Sequence, residues 1–189
     1  MSADFQIRPL STKNLEDFLS FFESVEFKDH PHWSECYCYS FHFTGSSDQW
    51  KKENNRVSVC DLTRAGRMTG YLAYHNDIPV GWCNVNNRLN FQRLLKYYEL
   101  IEPDHKHVCS IVCFLIHPDY RRRGITQLLL NRIETDGQSR GDEILEAYPT
   151  KRSLSDENQY MGHLEFYRKN GFEVVMEFEE YYLVRKSIH

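Results

Sequence analysis

An almost unbroken apolar run, Val108–Ile116, ends at Pro118. Three successive arginines and Gly124 follow, and then an amphipathic segment begins. The run is far shorter than the ~18 residues of a membrane helix. It is rich in β-branched and aromatic side chains, as expected of a strand buried on both faces. From Gly124 to Ser139, Ile125, Leu128, Leu129 and Ile133 fall on one helical face. The order is therefore strand, basic turn, helix. The first N–H groups of a helix have no partner within it, and they lie at the positive end of its dipole. Gly124 lets the backbone approach a ligand with no Cβ in the way. Arg121, Arg122 and Arg123 add permanent charge and fork-shaped donors. A pyrophosphate suits such a turn, and a solvated basic turn is the alternative.

The remaining pattern surrounds this junction with mixed elements. Phe5–Leu10 alternates as a first strand. Ser11 or Thr12 can cap a helix carrying Leu15, Phe18, Leu19 and Phe22 at i, i+3, i+4, i+7. Lys28–Ser47 has no clear period and reads as a long, partly ordered loop, and Asp48–Arg64 reads as a helix stopping near Gly66. Thr69–His75 and Ile78–Val85 are strand-like runs separated by Asn76-Asp77, a tight-hairpin signal. Leu89–Leu100 reads as a short helix, Glu143–Tyr148 as a strand, and Tyr160–Lys169 as a helix closed by Gly171. Val174–Ile188 reads as two final strands. This predicts one domain over residues 1–189, an α/β (mixed α+β) fold with helices flanking a central mixed, mostly antiparallel sheet and at least one parallel crossover.

With 41% hydrophobic residues, including 12 Tyr and 12 Phe, the chain has material for one sizeable core. A net charge of −4 argues against nucleic acid as the main partner. It mildly favours cationic substrates such as amines. The six cysteines form no dense disulfide pattern. Met1–Arg8 lacks a basic-then-apolar signal segment. The expectation is a cytoplasmic protein, monomer or homodimer, with no membrane and no nucleic-acid partner.

The junction resembles the signature of the GNAT N-acetyltransferase superfamily, Arg/Gln-x-x-Gly-x-Gly/Ala after a strand. Here it reads Arg121-x-x-Gly124-x-Thr126, preceded by Ile116-His117-Pro118-Asp119-Tyr120. Thr126 stands where the family usually has a small residue. Phe166-Tyr167-Arg168-Lys169-Asn170-Gly171-Phe172 is similar to a late aromatic-Tyr-x-x-x-Gly-Phe element of the same superfamily. The likeness is good over about residues 66–172 and poor over the first 65.

The resemblance implies acetyl-CoA as co-substrate and a small-molecule or peptide amine as acceptor. It implies that the CoA arm pairs with the main chain of Phe114 and Ile116, like an added strand. The pyrophosphate would meet Arg121, Arg122, Arg123, Gly124, Ile125 and Thr126. It also places a tyrosine general acid at Tyr167, whose alternative role is core packing. Some members carry a glutamate base on the signature strand, and the matching position here is Ser110. Glu146 on the next strand is the first replacement and His107 the second; Glu146 could equally be a solvent-facing strand residue. A noncatalytic CoA-binding module of the same fold is the other reading of the whole chain.

His30, His32, Cys36, Cys38 and His42 lie close together, with zinc-ligand chemistry. Their spacing matches no familiar finger, and Trp33, Tyr37, Tyr39, Phe41 and Phe43 are interleaved among them. The expectation is an aromatic acceptor pocket formed by Trp33, Tyr37 and Trp82, with no metal.

Overall fold

The computed structural model describes residues 5–24, 31–97, 107–151 and 160–188, without the side chains of residues 31, 32, 96 and 97. Seven strands form one sheet in the order β1-β2-β3-β4-β5-β7-β6. They are β1 (Phe5–Pro9), β2 (Gly70–His75), β3 (Ile78–Asn87), β4 (Val108–Ile116), β5 (Ile144–Ala147), β6 (Glu173–Glu177) and β7 (Tyr182–Ser187). Only β4 and β5 are parallel, and every other neighbouring pair is antiparallel. The predicted mixed, mostly antiparallel sheet with one parallel crossover is what the chain forms. The helices are α1 (Leu15–Ser24), α2 (Lys52–Arg64), α3 (Gln92–Tyr97), α4 (Ile125–Arg140) and α5 (Leu164–Lys169). No helix among the described residues is long and apolar enough to cross a membrane.

Two apolar layers sandwich the sheet. On one face, Leu15, Phe18, Leu19 and Phe22 of α1 pack with Val59 of α2, Leu72, Trp82 and Val112. Phe18 meets the Trp82 ring edge-on at 4.7 Å. On the other face, Ile125, Leu129 and Ile133 of α4 and Tyr167 of α5 pack with Ala73, Cys83, Ile111 and Phe114. Each fully buried aliphatic side chain on these faces contributes about 1.5–3 kcal/mol. Strand alternation decides which residue serves which layer.

Local chemistry sets the joints. Asn76 and Asp77 hold φ of 50° and 61°, the paired left-handed geometry of a two-residue hairpin, between β2 and β3. The Asn14 side chain accepts the Ser11 N–H at 2.8 Å, so a turn precedes α1 and the helix begins at Leu15 rather than just after Ser11. Ser47–Gln49 is a separate 3-10 turn, which delays α2 to Lys52. The expected helix from Tyr160 starts only at Leu164, because Gly162 sits at φ 81° and His163 is extended. The segment expected to be a partly ordered loop forms a 3-10 turn at Pro31–Glu35 and tight turns beyond it, fully burying Tyr37.

Candidate active site

The sheet opens where β4 and β5 part. Their pairing runs only from Val108↔Ile144 to Ile111↔Ala147. Past Ala147 the chain follows β7 instead: Tyr182 N–H donates to the Pro149 carbonyl at 2.9 Å, and Thr150 bridges Tyr181. From Val112 onward, β4 is therefore strand-paired only on its β3 side. A bulge lies at the same point. Asn84 pairs with Cys113 and Val85 with Ile111, which leaves Val112 outside the β3 register. The bulge turns Val112 and Cys113 toward the α1 layer and Phe114 toward the α4 layer.

A short segment already occupies this gap. Phe114 N–H donates to the Tyr160 carbonyl at 2.6 Å, and the Tyr167 hydroxyl donates to the Met161 carbonyl at 2.9 Å. A Cβ on Gly162 would stand 2.8 Å from the Tyr167 ring, so only glycine lets the chain pass so close. Tyr167 is fully buried, with Cys83 and Cys113 thiols nearby. Burial pushes its hydroxyl well above the ordinary tyrosine value of 10, so it stays protonated at neutral pH. Tyr160 and Met161 thus hold the Phe114 main chain, which the resemblance assigns to the CoA arm, and Tyr167, which it assigns to catalysis.

The basic turn follows from β4. Pro118–Tyr120 is a 3-10 turn and Arg121 leaves it extended, its Nε donating to the Ile116 carbonyl at 3.3 Å. Arg122 then adopts φ 60° and Gly124 φ 79°. Left-handed residues in a tight turn gather backbone N–H groups into an anion-binding concavity. Arg123 stacks over the Tyr120 ring at 5.1 Å. Gly124 caps α4 with no side-chain hydrogen bond, and the first turn of α4 carries no acidic residue. Beyond Gly124 and its two chain neighbours, nothing stands within 4 Å of where a Gly124 Cβ would be, so the approach to the turn is open. Ile125 turns its side chain into the core, leaving its backbone as what it could offer a ligand, while Thr126 is half-buried. Open approach, positive helix end and basic flank together suit a phosphate group.

Glu146 is not where a base is needed. It is fully buried, in register with Ser110 across the β4–β5 pair. One carboxylate oxygen accepts from Ser110 Oγ at 2.7 Å and from the Tyr148 hydroxyl. The other takes Arg88 at 3.3 Å and Arg185 Nε at 3.1 Å. A carboxylate with both oxygens engaged and no exposed surface ties β4, β5, β7 and the turn after β3 together. The expectation of Glu146 as base is corrected on that ground. His107 precedes β4 at the end where β5 is paired, away from the gap.

A cavity of about 410 Å³ lies on the α1 side of the sheet. Cys113 and Leu115 of β4 form part of its wall, and Phe22, Trp33, Phe41, Trp50 and Tyr160 supply aromatic surface. Cys36 and Cys38 add thiols, and Ser40 and Glu35 are its polar members. Trp33 therefore lines a pocket. The other two expected pocket residues do not: Tyr37 and Trp82 are fully buried in the core, Tyr37 with its hydroxyl on Glu23 at 3.0 Å. Sequence reasoning missed Glu35, Trp50, Cys113, Leu115 and Tyr160, which only the fold brings together.

Of the described members of the His/Cys cluster, Cys36 and Cys38 line the cavity and His42 packs against Phe91. His30 lies outside the described residues, as does the side chain of His32. Cys38 Sγ lies 3.1 Å from Cys113 Sγ, and His42 Nδ1 lies 3.1 Å from the Asn90 carbonyl. Burial lowers the His42 pKa to about 4, leaving a neutral ring packed 4.9 Å from Phe91. Among the described residues, no three His, Cys, Asp or Glu side chains are grouped to hold a metal ion.

The chain is similar to known proteins in sequence and in fold. The model of the Acetyltransferase (GNAT) family matches residues 32–172. A probable N-acetyltransferase san of Drosophila melanogaster is 31% identical over 126 residues, covering 65% of this chain and 55% of that protein. The match thus spans about half the length of that relative. Among solved structures, a probable acetyltransferase from Staphylococcus epidermidis superposes with a TM-score of 0.61 at 13% identity, covering 98% of this chain and all of the other. The PaiA N-acetyltransferase of Thermoplasma acidophilum, solved with coenzyme A, gives 0.56 at 15% identity over 97% and 99% of the two chains.

Proposed function

Because the chain belongs to the GNAT acetyltransferase family, we propose that it transfers an acetyl group from acetyl-CoA to a primary amine, in the cytoplasm. The observation that carries this reading is the half-paired end of β4 beside the open, left-handed turn at Arg121–Gly124. Acetyl-CoA supplies a thioester to be attacked and a thiolate to depart. The chain supplies the rest. Backbone N–H groups from Arg122 to Thr126 and the Arg121 guanidinium hold phosphates. The unpaired edge of β4, at Phe114 and Ile116, receives the extended arm once Tyr160 gives up the Phe114 N–H. Tyr167, protonated and freed from Met161, gives its proton to the departing sulfur and regains one from solvent.

The amine nitrogen forms the C–N bond as the C–S bond breaks, and the nitrogen's surplus proton leaves to water. At pH 7 only about four in ten thousand lysine-like amines are neutral. With Glu146 enclosed, water is the acceptor of that proton in this account.

Charge-assisted hydrogen bonds contribute roughly 1.5–3 kcal/mol each. Arg121→Ala is therefore expected to weaken CoA by about tenfold or more, measured by calorimetry. Unchanged affinity would remove Arg121 from the phosphate site.

A further inference from the structure

We propose that the aromatic cavity beside β4 is the acceptor site, and that it takes a small primary monoamine with an aromatic or aliphatic body in preference to a peptide or a polyamine. The inference rests on the acyl-transfer reading, and three observations specify the class. The first is position: Cys113 in the cavity wall is the neighbour of Phe114, whose N–H marks the half-paired edge of β4. An amine in the cavity thus lies beside the strand that would present the thioester. The second is size, since about 410 Å³ falls in the small-molecule range of roughly 300–1,000 Å³.

The third is chemistry. Among the described residues the walls are aromatic rings, thiols and Leu115, with Ser40 and Glu35 as the polar members. A peptide entering this space would bury backbone N–H and C=O groups with almost no partners, at a cost of several kcal/mol per unpaired group. A polyamine would bring several ammonium groups to a wall whose described residues hold one carboxylate, Glu35. A monoamine meets neither penalty. Its ammonium is drawn to Glu35, which is exposed, and its body stacks on Trp33, Phe41 and Trp50. Trp33 meets Tyr160 edge-on at 5.5 Å, which joins the cavity wall to the segment that covers the β4 edge. In the reaction the nitrogen forms the amide and gives one proton to water, while the departing sulfur takes the Tyr167 proton to become CoA thiol and Tyr167 regains one from solvent, so no net proton is released.

The test is a tryptophan-fluorescence titration of the protein alone, since Trp33 and Trp50 both line the cavity. The probes are 2-phenylethylamine, spermidine and a tetrapeptide with a free N-terminus. Saturable binding of 2-phenylethylamine at least tenfold tighter than of the other two is expected. Glu35→Gln should weaken it by about two- to fivefold, the scale of an exposed ion pair. Tighter binding of the peptide or spermidine, or saturation by none of the three, would overturn the proposal. CoA calorimetry on the same sample separates the two readings. CoA binding without amine binding overturns this inference alone, and amine binding without CoA binding overturns the acyl-transfer reading instead.

Discussion

Tyr167→Phe is expected to lower kcat by about 10²–10⁴-fold while leaving CoA affinity nearly unchanged. The substitution keeps the ring that packs 5.1 Å from Phe172 and 5.4 Å from Phe166. It removes only the hydroxyl, whose bond to the Met161 carbonyl contributes about 1 kcal/mol to stability. A packing role would therefore show as a small loss of stability with turnover intact. An acid role would show as a loss confined to the chemical step, in conditions where chemistry limits the rate. Burial raises the Tyr167 pKa from a value already well above neutrality, so the shift does not separate the two roles and the kinetic readout does. Full turnover by the variant would return Tyr167 to the core.

Glu146→Ala is expected to cost about 3–5 kcal/mol of folding stability, the usual result of removing one partner from a buried ion pair. It leaves Arg88, whose side chain is 3% exposed, and Arg185, at 18%, without their shared carboxylate. The Ser110 and Tyr148 hydroxyls lose their acceptor as well. The measurement is the urea midpoint, with the slope checked for two-state behaviour. A midpoint unchanged from that of the unsubstituted protein, combined with lost activity, would restore a catalytic role to Glu146 and remove the structural one.

The elements written in local chemistry were legible in the sequence. β4 spans the predicted Val108–Ile116, and α4 starts one residue after Gly124, because apolar run, Pro118 and glycine punctuate the chain at close range. The Asn76-Asp77 hairpin was equally plain. What depended on register was not. Nothing near Glu146 in the chain shows that it faces Ser110, 36 residues away, so a strand carboxylate read as a base when it is a buried tie. Trp82 and Tyr37 read as pocket residues because they are aromatic; packing of α1 onto β3 consumes Trp82, and Tyr37 is buried against Phe22 of α1. The Tyr160–Gly162 segment escaped notice for the opposite reason. Its function lies in two backbone carbonyls, which no side-chain pattern records.

Acyl transfer by this chain requires CoA to enter the gap between β4 and β5. The direct measurement is a titration of isotopically labelled protein with CoA, following backbone amide resonances. The largest shifts are expected at Arg122–Thr126, where phosphates meet the N–H groups, and at Phe114 and Met161–Gly162, where the covering segment gives up its bonds. Saturating CoA that leaves those amides unmoved, or shifts that map elsewhere on the sheet, would contradict entry at this gap.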